Sequence, residues 1–214
     1  MEEIVVQAED WVKELLNEEK TGHDWHHIRR VTTIAKQIAI EENANLFVVT
    51  LASLFHDLAD DKIMPSEAEG IQLIEKWLIE HQVDESTIAE ISDIIKTISF
   101  SKGATLQSIE AKIVQDADRL DAIGAIGVAR TFQYAGAKGH AYYDPTLSVR
   151  ENMTKEEYRL GKTSAIHHFY EKLLKLKSQM HTNTAQKIAE ERHQFMENFL
   201  EQFFHEWQSE FKKG

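Results

Sequence analysis

Apolar residues recur at helical spacing over nearly the whole of this 214-residue chain, and only two prolines and nine glycines interrupt them. A 3.6-residue period cannot settle as strand, because successive strand residues face opposite sides. The expected fold class is therefore all-α. Ile4, Ala8, Trp11, Val12, Leu15 and Leu16 form a first stripe, and Ile28, Val31, Ala35, Ile38 and Ala39 a second. Leu46 to Ala59 predicts a short, strongly apolar helix. Ser66-Glu67-Ala68-Glu69, after Pro65, has the form of a capping box opening a helix that runs to about His81. Asp84 opens another, carrying Ile88, Ile91, Ile94, Ile95 and Ile98, and a turn region over Ser99 to Gln107 leads into the segment Ser108 to Tyr134. Within that segment Gly124 and Gly127 read as sites of close packing rather than as a phosphate loop. Residues 135–152 form the one long irregular stretch, expected to be a functional loop near the site. Two long helices, about Thr154 to Met180 and Thr184 to Phe211, close the chain. A single domain over residues 1–214 is the expectation for a helical chain of this size.

Composition narrows the chemistry. Cysteine is absent, so thiolate sites and disulfides are excluded, and any metal must be held by nitrogen and oxygen. With 36 acidic against 24 basic residues the formal charge is -12, which repels a long nucleic acid but is silent on a small phosphorylated substrate. The first residues, MEEIVVQAED, lack the basic start of a signal peptide, and no apolar run approaches the ~20 residues a membrane span needs. The expectation is a cytoplasmic protein with no membrane partner.

Three places set potential ligands on apolar faces, where an unpaired polar group is costly. In the first, Asp24 caps a helix and His27 shares an inward face with Val31 and Ile34, while His26 looks toward the more polar side and both it and His23 read as surface groups or supports behind a ligand; His27 alone reads more readily as a hydrogen-bonded structural histidine than as a ligand. In the second, His56 and Asp57 interrupt Leu51 to Lys62 at adjacent positions about 100° apart around a helix, close enough to turn toward one ion. A simple His–Asp hydrogen bond explains that pair as well. Asp60 follows one turn later on the same side, within reach of a proton on a metal-bound water, or as a solvated acid beside Asp61. In the third, Asp118 and Asp121 share a face with Val114, Ala122 and Ala125; a buried carboxylate there needs a cation, from a metal or from Arg119. Two histidines and two aspartates from three helices together make one hard-ligand site, a more specific signal than any part.

In the order H…HD…D, His27, His56-Asp57 and Asp118 resemble the HD superfamily of metal-dependent phosphohydrolases. The segments HDWHHIRRV, LFHDLADDK and VQDADRLDAIGAIGVAR resemble in particular the single-domain branch called YpgQ-like or YedJ-like, over most of the chain. The resemblance implies an HD-domain helical bundle in which His27, His56, Asp57 and Asp118 hold one divalent ion, manganese foremost, with magnesium, nickel, iron(II) or zinc as alternatives. It implies that Asp60 helps to activate water, and that the substrate is a nucleoside triphosphate cut to a monophosphate and pyrophosphate. No further histidines stand where a second metal would be expected. Lys62, close after the doublet, is the first candidate cation for the transferred phosphate. Arg30, Lys138, Arg150, Lys162 and Lys172 are others, and Asp121 joins Arg30, Lys138, Arg150 and Lys172 as a candidate substrate contact. A 5′-nucleotidase acting on monophosphates, a metal- and nucleotide-binding regulatory module without turnover, and a metal-free bundle remain the rivals. A monomer or a homodimer fits equally.

Overall fold

Side-chain caps fix where most helices begin. In the computed structural model, which describes residues 1–17, 24–60, 63–98, 105–151, 153–154, 156–157 and 161–208, Asp24 accepts the His27 N–H and Asn45 those of Phe47 and Val48. Ser66, Asp84 and Ser108 do the same for Glu69, Thr87 and Ala111. Each bond satisfies an amide that the first helical turn leaves without a partner. In chain order the α-helices are α1 (Glu2–Leu15), α2 (Trp25–Glu41), α3 (Leu46–Phe55), α4 (Glu67–Glu80) and α5 (Glu85–Ile98). They are followed by α6 (Ile109–Asp121), α7 (Gly124–Ala137), α8 (Ala165–Glu171) and α9 (Asn183–Trp207). No strand occurs among the described residues, and the protein is all-α as its periodicity requires. The chain divides into two compact units: Met1–Arg119 with His181–Ala185, and Leu120–Met180 with Gln186–Gly214.

In the first unit α3 is the central post. It is apolar on every side, so it can be stable only when surrounded, and every residue from Val48 to Phe55 is buried, with α1, α2 and α5 packed against it. Phe55, at its last turn, meets Trp11 edge-on at 5.7 Å and Trp77 at 5.5 Å, while the two indoles stack at 5.3 Å. The stripes on α1 and α2 are confirmed by the burial of Ala8, Val12, Leu16, Ile28, Val31, Ala35, Ile38 and Ala39, although Leu15 is exposed.

Three sequence expectations need correction. The apolar run predicted as helix to Ala59 stops being helical at Phe55; Leu58 N–H bonds back to Phe55 and Asp60 N–H to Asp57, three-residue closures tighter than an α-turn. The irregular stretch begins at Lys138, because α7 continues to Ala137. The helix expected from Thr154 to Met180 is interrupted: Glu156 and Glu157 are helical behind Thr154, whose hydroxyl accepts the Glu157 N–H, residues 162–164 are not helical, and α8 and two 3-10 turns, Leu173–Lys175 and Lys177–Gln179, follow. Ser164 caps α8 and Lys172, at φ −138°, leaves helical geometry. Phe211 and most of Ser99 to Gln107 lie outside the described residues.

In the second unit the loop after α7 is strapped to α8. Ala165 and Ile166 donate to the carbonyls of Ala141 and Tyr142, and Arg150 forks onto the buried Glu171 through Nε (2.8 Å) and Nη2 (2.7 Å). Burial alone would raise the Glu171 carboxyl, yet the bonds from Arg150 and Thr163 hold it below the usual range. Both predicted close-packing glycines are such: a Cβ on Gly124 would press on Arg192 at 3.0 Å and one on Gly127 would strike the Ala122 carbonyl. Gly124 also has a φ of +75°, the left-handed conformation that turns α6 into α7.

Candidate metal centre

Four of the predicted side chains converge in the first unit. His27 stands in the first turn of α2, whose start Asp24 fixes, and is only 2% exposed. His56 and Asp57 leave the end of α3 in the tight turn described above, and Asp118 comes from α6 with its side chain half-exposed. His27 Nε2 lies 3.3 Å from Asp57 Oδ2 and 3.5 Å from Asp118 Oδ1. His56 Nε2 lies 3.4 Å from Asp57 Oδ1 and 4.0 Å from the same Asp118 oxygen. Asp57 thus shows a different oxygen to each histidine, whereas His27, His56 and Asp118 offer one set of atoms all within 4.8 Å of one another.

The tautomer of His56 decides what this cluster can bind. Its Nδ1 lies 2.8 Å from the Ser53 carbonyl, which can only accept, so Nδ1 carries the hydrogen and Nε2 the lone pair. That Nε2 is buried and has no hydrogen-bond partner. A lone pair buried beside two carboxylates is an arrangement of acceptors, and a cation is what acceptors require. Two donors each about 2.1 Å from one ion stand about 3.0–3.4 Å apart at octahedral or tetrahedral angles, close to the 3.3–3.5 Å found for three of the pairs. Imidazole and carboxylate without thiolate suit a divalent transition ion. The residues present fit the metal.

The other predicted residues are placed as follows. Asp60 is half-buried, and its N–H bonds to the Asp57 carbonyl at 2.9 Å, so the turn that carries the doublet also holds Asp60. Arg30, half-buried, lies one turn after His27 on α2, a spacing that brings two side chains to the same face. Lys62 and His23 lie outside the described residues. Lys138, Arg150, Lys162, Lys172 and Asp121 all belong to the second unit. There Asp121, 1% exposed, pairs with Arg130 at 2.9 Å. Arg150 uses all three guanidinium nitrogens within the unit, on Glu171 and the Glu157 carbonyl. Lys162 lies 3.6 Å from Asp144, Lys138 sits over the Tyr134 ring at 5.8 Å, and Lys172 is half-buried at the end of α8.

Sequence reasoning missed Gln115, Asp116 and His181. Asp116 is fully buried on α6 beside Ile113, Ala117 and Leu120, where burial raises its carboxyl despite hydrogen bonds from His181 and Thr182. An acid inside that apolar stripe was the visible signal.

Comparison with known proteins gives the family. The HD domain family matches residues 24–123, a span that takes in all four converging side chains. YpgQ of Bacillus subtilis is 42% identical over 200 residues, 92% of this chain and 90% of its own length. Its crystal structure in complex with ADP superposes with a TM-score of 0.78 at 39% identity, covering 95% of both chains. An HD-superfamily hydrolase from Bacillus thuringiensis matches with a TM-score of 0.80 and 43% identity over 98% of this chain and 99% of its own. Among the described residues no helix is long and apolar enough to cross a membrane.

Proposed function

The chain belongs to the HD superfamily of metal-dependent phosphohydrolases, and from that membership we propose that it is a nucleoside triphosphate pyrophosphatase, with residues 1–214 acting as one enzyme domain. The observation that carries the metal half of the reading is the buried, partnerless Nε2 of His56 facing Asp57 and Asp118. The nucleotide half is supported by the ADP complex of the similar YpgQ.

His27, His56, Asp57 and Asp118 hold one divalent ion, manganese first among the choices. Such an ion supplies Lewis acidity to a phosphoryl oxygen and makes a neighbouring water more acidic. Asp60, kept in the same turn as Asp57, takes the proton from the attacking water. The water oxygen bonds to the α-phosphorus, the bond from that phosphorus to the α–β bridging oxygen breaks, and pyrophosphate leaves with the electron pair. Arg30 on the His27 face, and Lys62, offset the charge that spreads over the phosphate oxygens. Asp121 and Arg150 are already committed to Arg130 and Glu171, and their part is to hold the second unit together. The substrate is small, and neither long nucleic acid nor a membrane has a role; the site of action is the cytoplasm, for a monomer or homodimer.

Incubation with manganese and a panel of nucleoside triphosphates, with separation of products, tests this. Monophosphate plus pyrophosphate, lost in Asp57→Ala and Asp60→Ala, is the expected result. Phosphate released from monophosphates, with triphosphates untouched, would replace the reading by a 5′-nucleotidase, and metal-dependent nucleotide binding without turnover would replace it by a regulatory module.

A further inference from the structure

Within two residues of Asp118, α6 carries a second polar cluster that the reaction above does not use. Asp116 accepts the N–H of His181 at 2.9 Å, that of Thr182 at 2.8 Å and the Thr182 hydroxyl at 2.9 Å. These bonds pin the backbone of a segment 65 residues away in sequence, and so deliver the His181 ring to a fixed place. There its Nε2 lies 2.8 Å from Gln115 Oε1 and 3.0 Å from Arg119 Nη1. The Gln115 amide cannot turn over, because its own Nε2 donates to the Ile98 carbonyl at 2.9 Å inside the core.

One ring nitrogen cannot serve both neighbours. Bare, it accepts from Arg119 and sets its lone pair against the Gln115 oxygen; carrying hydrogen, it donates to Gln115 and turns that hydrogen on Arg119. Burial lowers the affinity of His181 for a second proton, against the pull of Asp116, so the ring is neutral and the choice lies between its two tautomers. Arg119 follows Asp118 directly and interacts electrostatically with it. Its guanidinium can therefore pass a hydrogen bond to an incoming acceptor while the imidazole turns to Gln115 and stays satisfied. A planar donor fork with a replaceable partner suits a phosphate group that must arrive and depart.

We propose that His181 is a positioning residue for the phosphoryl chemistry, aiming the Arg119 guanidinium beside Asp118 and releasing it to a substrate phosphate by turning its own Nε2–H to Gln115. No net proton is taken up: the ring loses its Nδ1 hydrogen to water and gains one at Nε2. The inference rests on the phosphohydrolase reading of the Asp118 site but not on which phosphate bond is cut.

The test uses the full chain loaded with manganese and inorganic pyrophosphate as the probe, with binding followed by calorimetry. His181→Phe keeps a flat ring without nitrogen and should weaken pyrophosphate about tenfold. His181→Gln, whose amide oxygen can accept from Arg119, should stay within about threefold of the parent. In an Arg119→Met background His181→Phe should cost nothing further, and in either background His181→Phe should leave manganese affinity unchanged. Equal losses from His181→Phe in both backgrounds, a fall in manganese affinity on that substitution, no rescue by Gln, or no pyrophosphate binding by the parent would each overturn the proposal. A parent that binds pyrophosphate with these effects yet cleaves no nucleotide would leave it standing while removing the pyrophosphatase reading.

Discussion

Removing one ligand from the cluster should uncouple the protein from manganese without unfolding it. An ion that binds only the folded chain stabilises it by an amount set by its concentration over its dissociation constant, about 2.7 kcal/mol at a hundredfold excess over Kd. For a chain this long, each kcal/mol moves Tm by about 2–4 °C, so the parent should gain about 5–10 °C. His56→Ala takes away the only cluster nitrogen that lacks a hydrogen-bond partner and leaves His27, Asp57 and Asp118. Changing a group that merely supports a ligand costs about 10–100-fold in metal affinity, so loss of a ligand itself should cost at least the upper value. At the same manganese concentration the variant then gains only about 0.4 kcal/mol, a shift near 1 °C. Differential scanning calorimetry in manganese and again in EDTA reads both numbers. A variant that keeps the parent's full manganese shift would refute the assignment of His56, and a parent with no shift at all would refute the site.

Three further outcomes follow from the packing. Burial holds His168 down to about 4 from its ordinary 6.5, with Lys172 adding to the effect; between those values the unfolded chain binds the proton and the folded one does not. Stability should therefore fall as pH drops through that window, by about 3 kcal/mol in all, and urea titrations at stepped pH should show a flatter profile in His168→Gln. Glu171→Ala, which strands Arg150 in a half-buried setting, should cost about 3–5 kcal/mol by denaturant unfolding, and a loss under about 1 kcal/mol would contradict the fork described here. Gly127→Ala should destabilise by about 1–3 kcal/mol through its clash with the Ala122 carbonyl, where an open helical position would instead gain from alanine.

What was legible in the sequence was local. Asp24, Ser66 and Asp84 cap the helices they were read to open, because a cap is a bond between residues two or three apart. The end of α3 was not legible: Leu58 and Ala59 are buried as a continuing helix would bury them, and burial does not distinguish an α-turn from a tighter one. The run His167 to Leu176 likewise keeps apolar spacing through the break at Lys172, next to a glutamate whose partner, Arg150, stands 21 residues earlier. The four converging side chains could be read because each is a polar group set into an apolar pattern. His181 lies in no such pattern, and its place comes from α6, far away in sequence, where Asp116 holds its backbone and Gln115 and Arg119 meet its ring.

The unforeseen end of α3 helps to explain why the four side chains meet where they do. The last four carbonyls of a helix have no partner within it, and with α3 closing at Phe55 the Ser53 carbonyl is one of them. His56 Nδ1 takes that carbonyl at 2.8 Å, which fixes the tautomer and turns the lone pair of Nε2 toward Asp57 and Asp118. A helix continued through Ala59 would use the same carbonyl for the Asp57 N–H and leave the imidazole without its orienting acceptor. The tight turn also carries Asp57 and Asp60 in one hydrogen-bonded loop. A buried post of helix thus supplies rigidity up to Phe55, and its termination supplies the acceptor, the His56-Asp57 pair and the proton-accepting carboxylate of the proposed reaction within eight residues of chain.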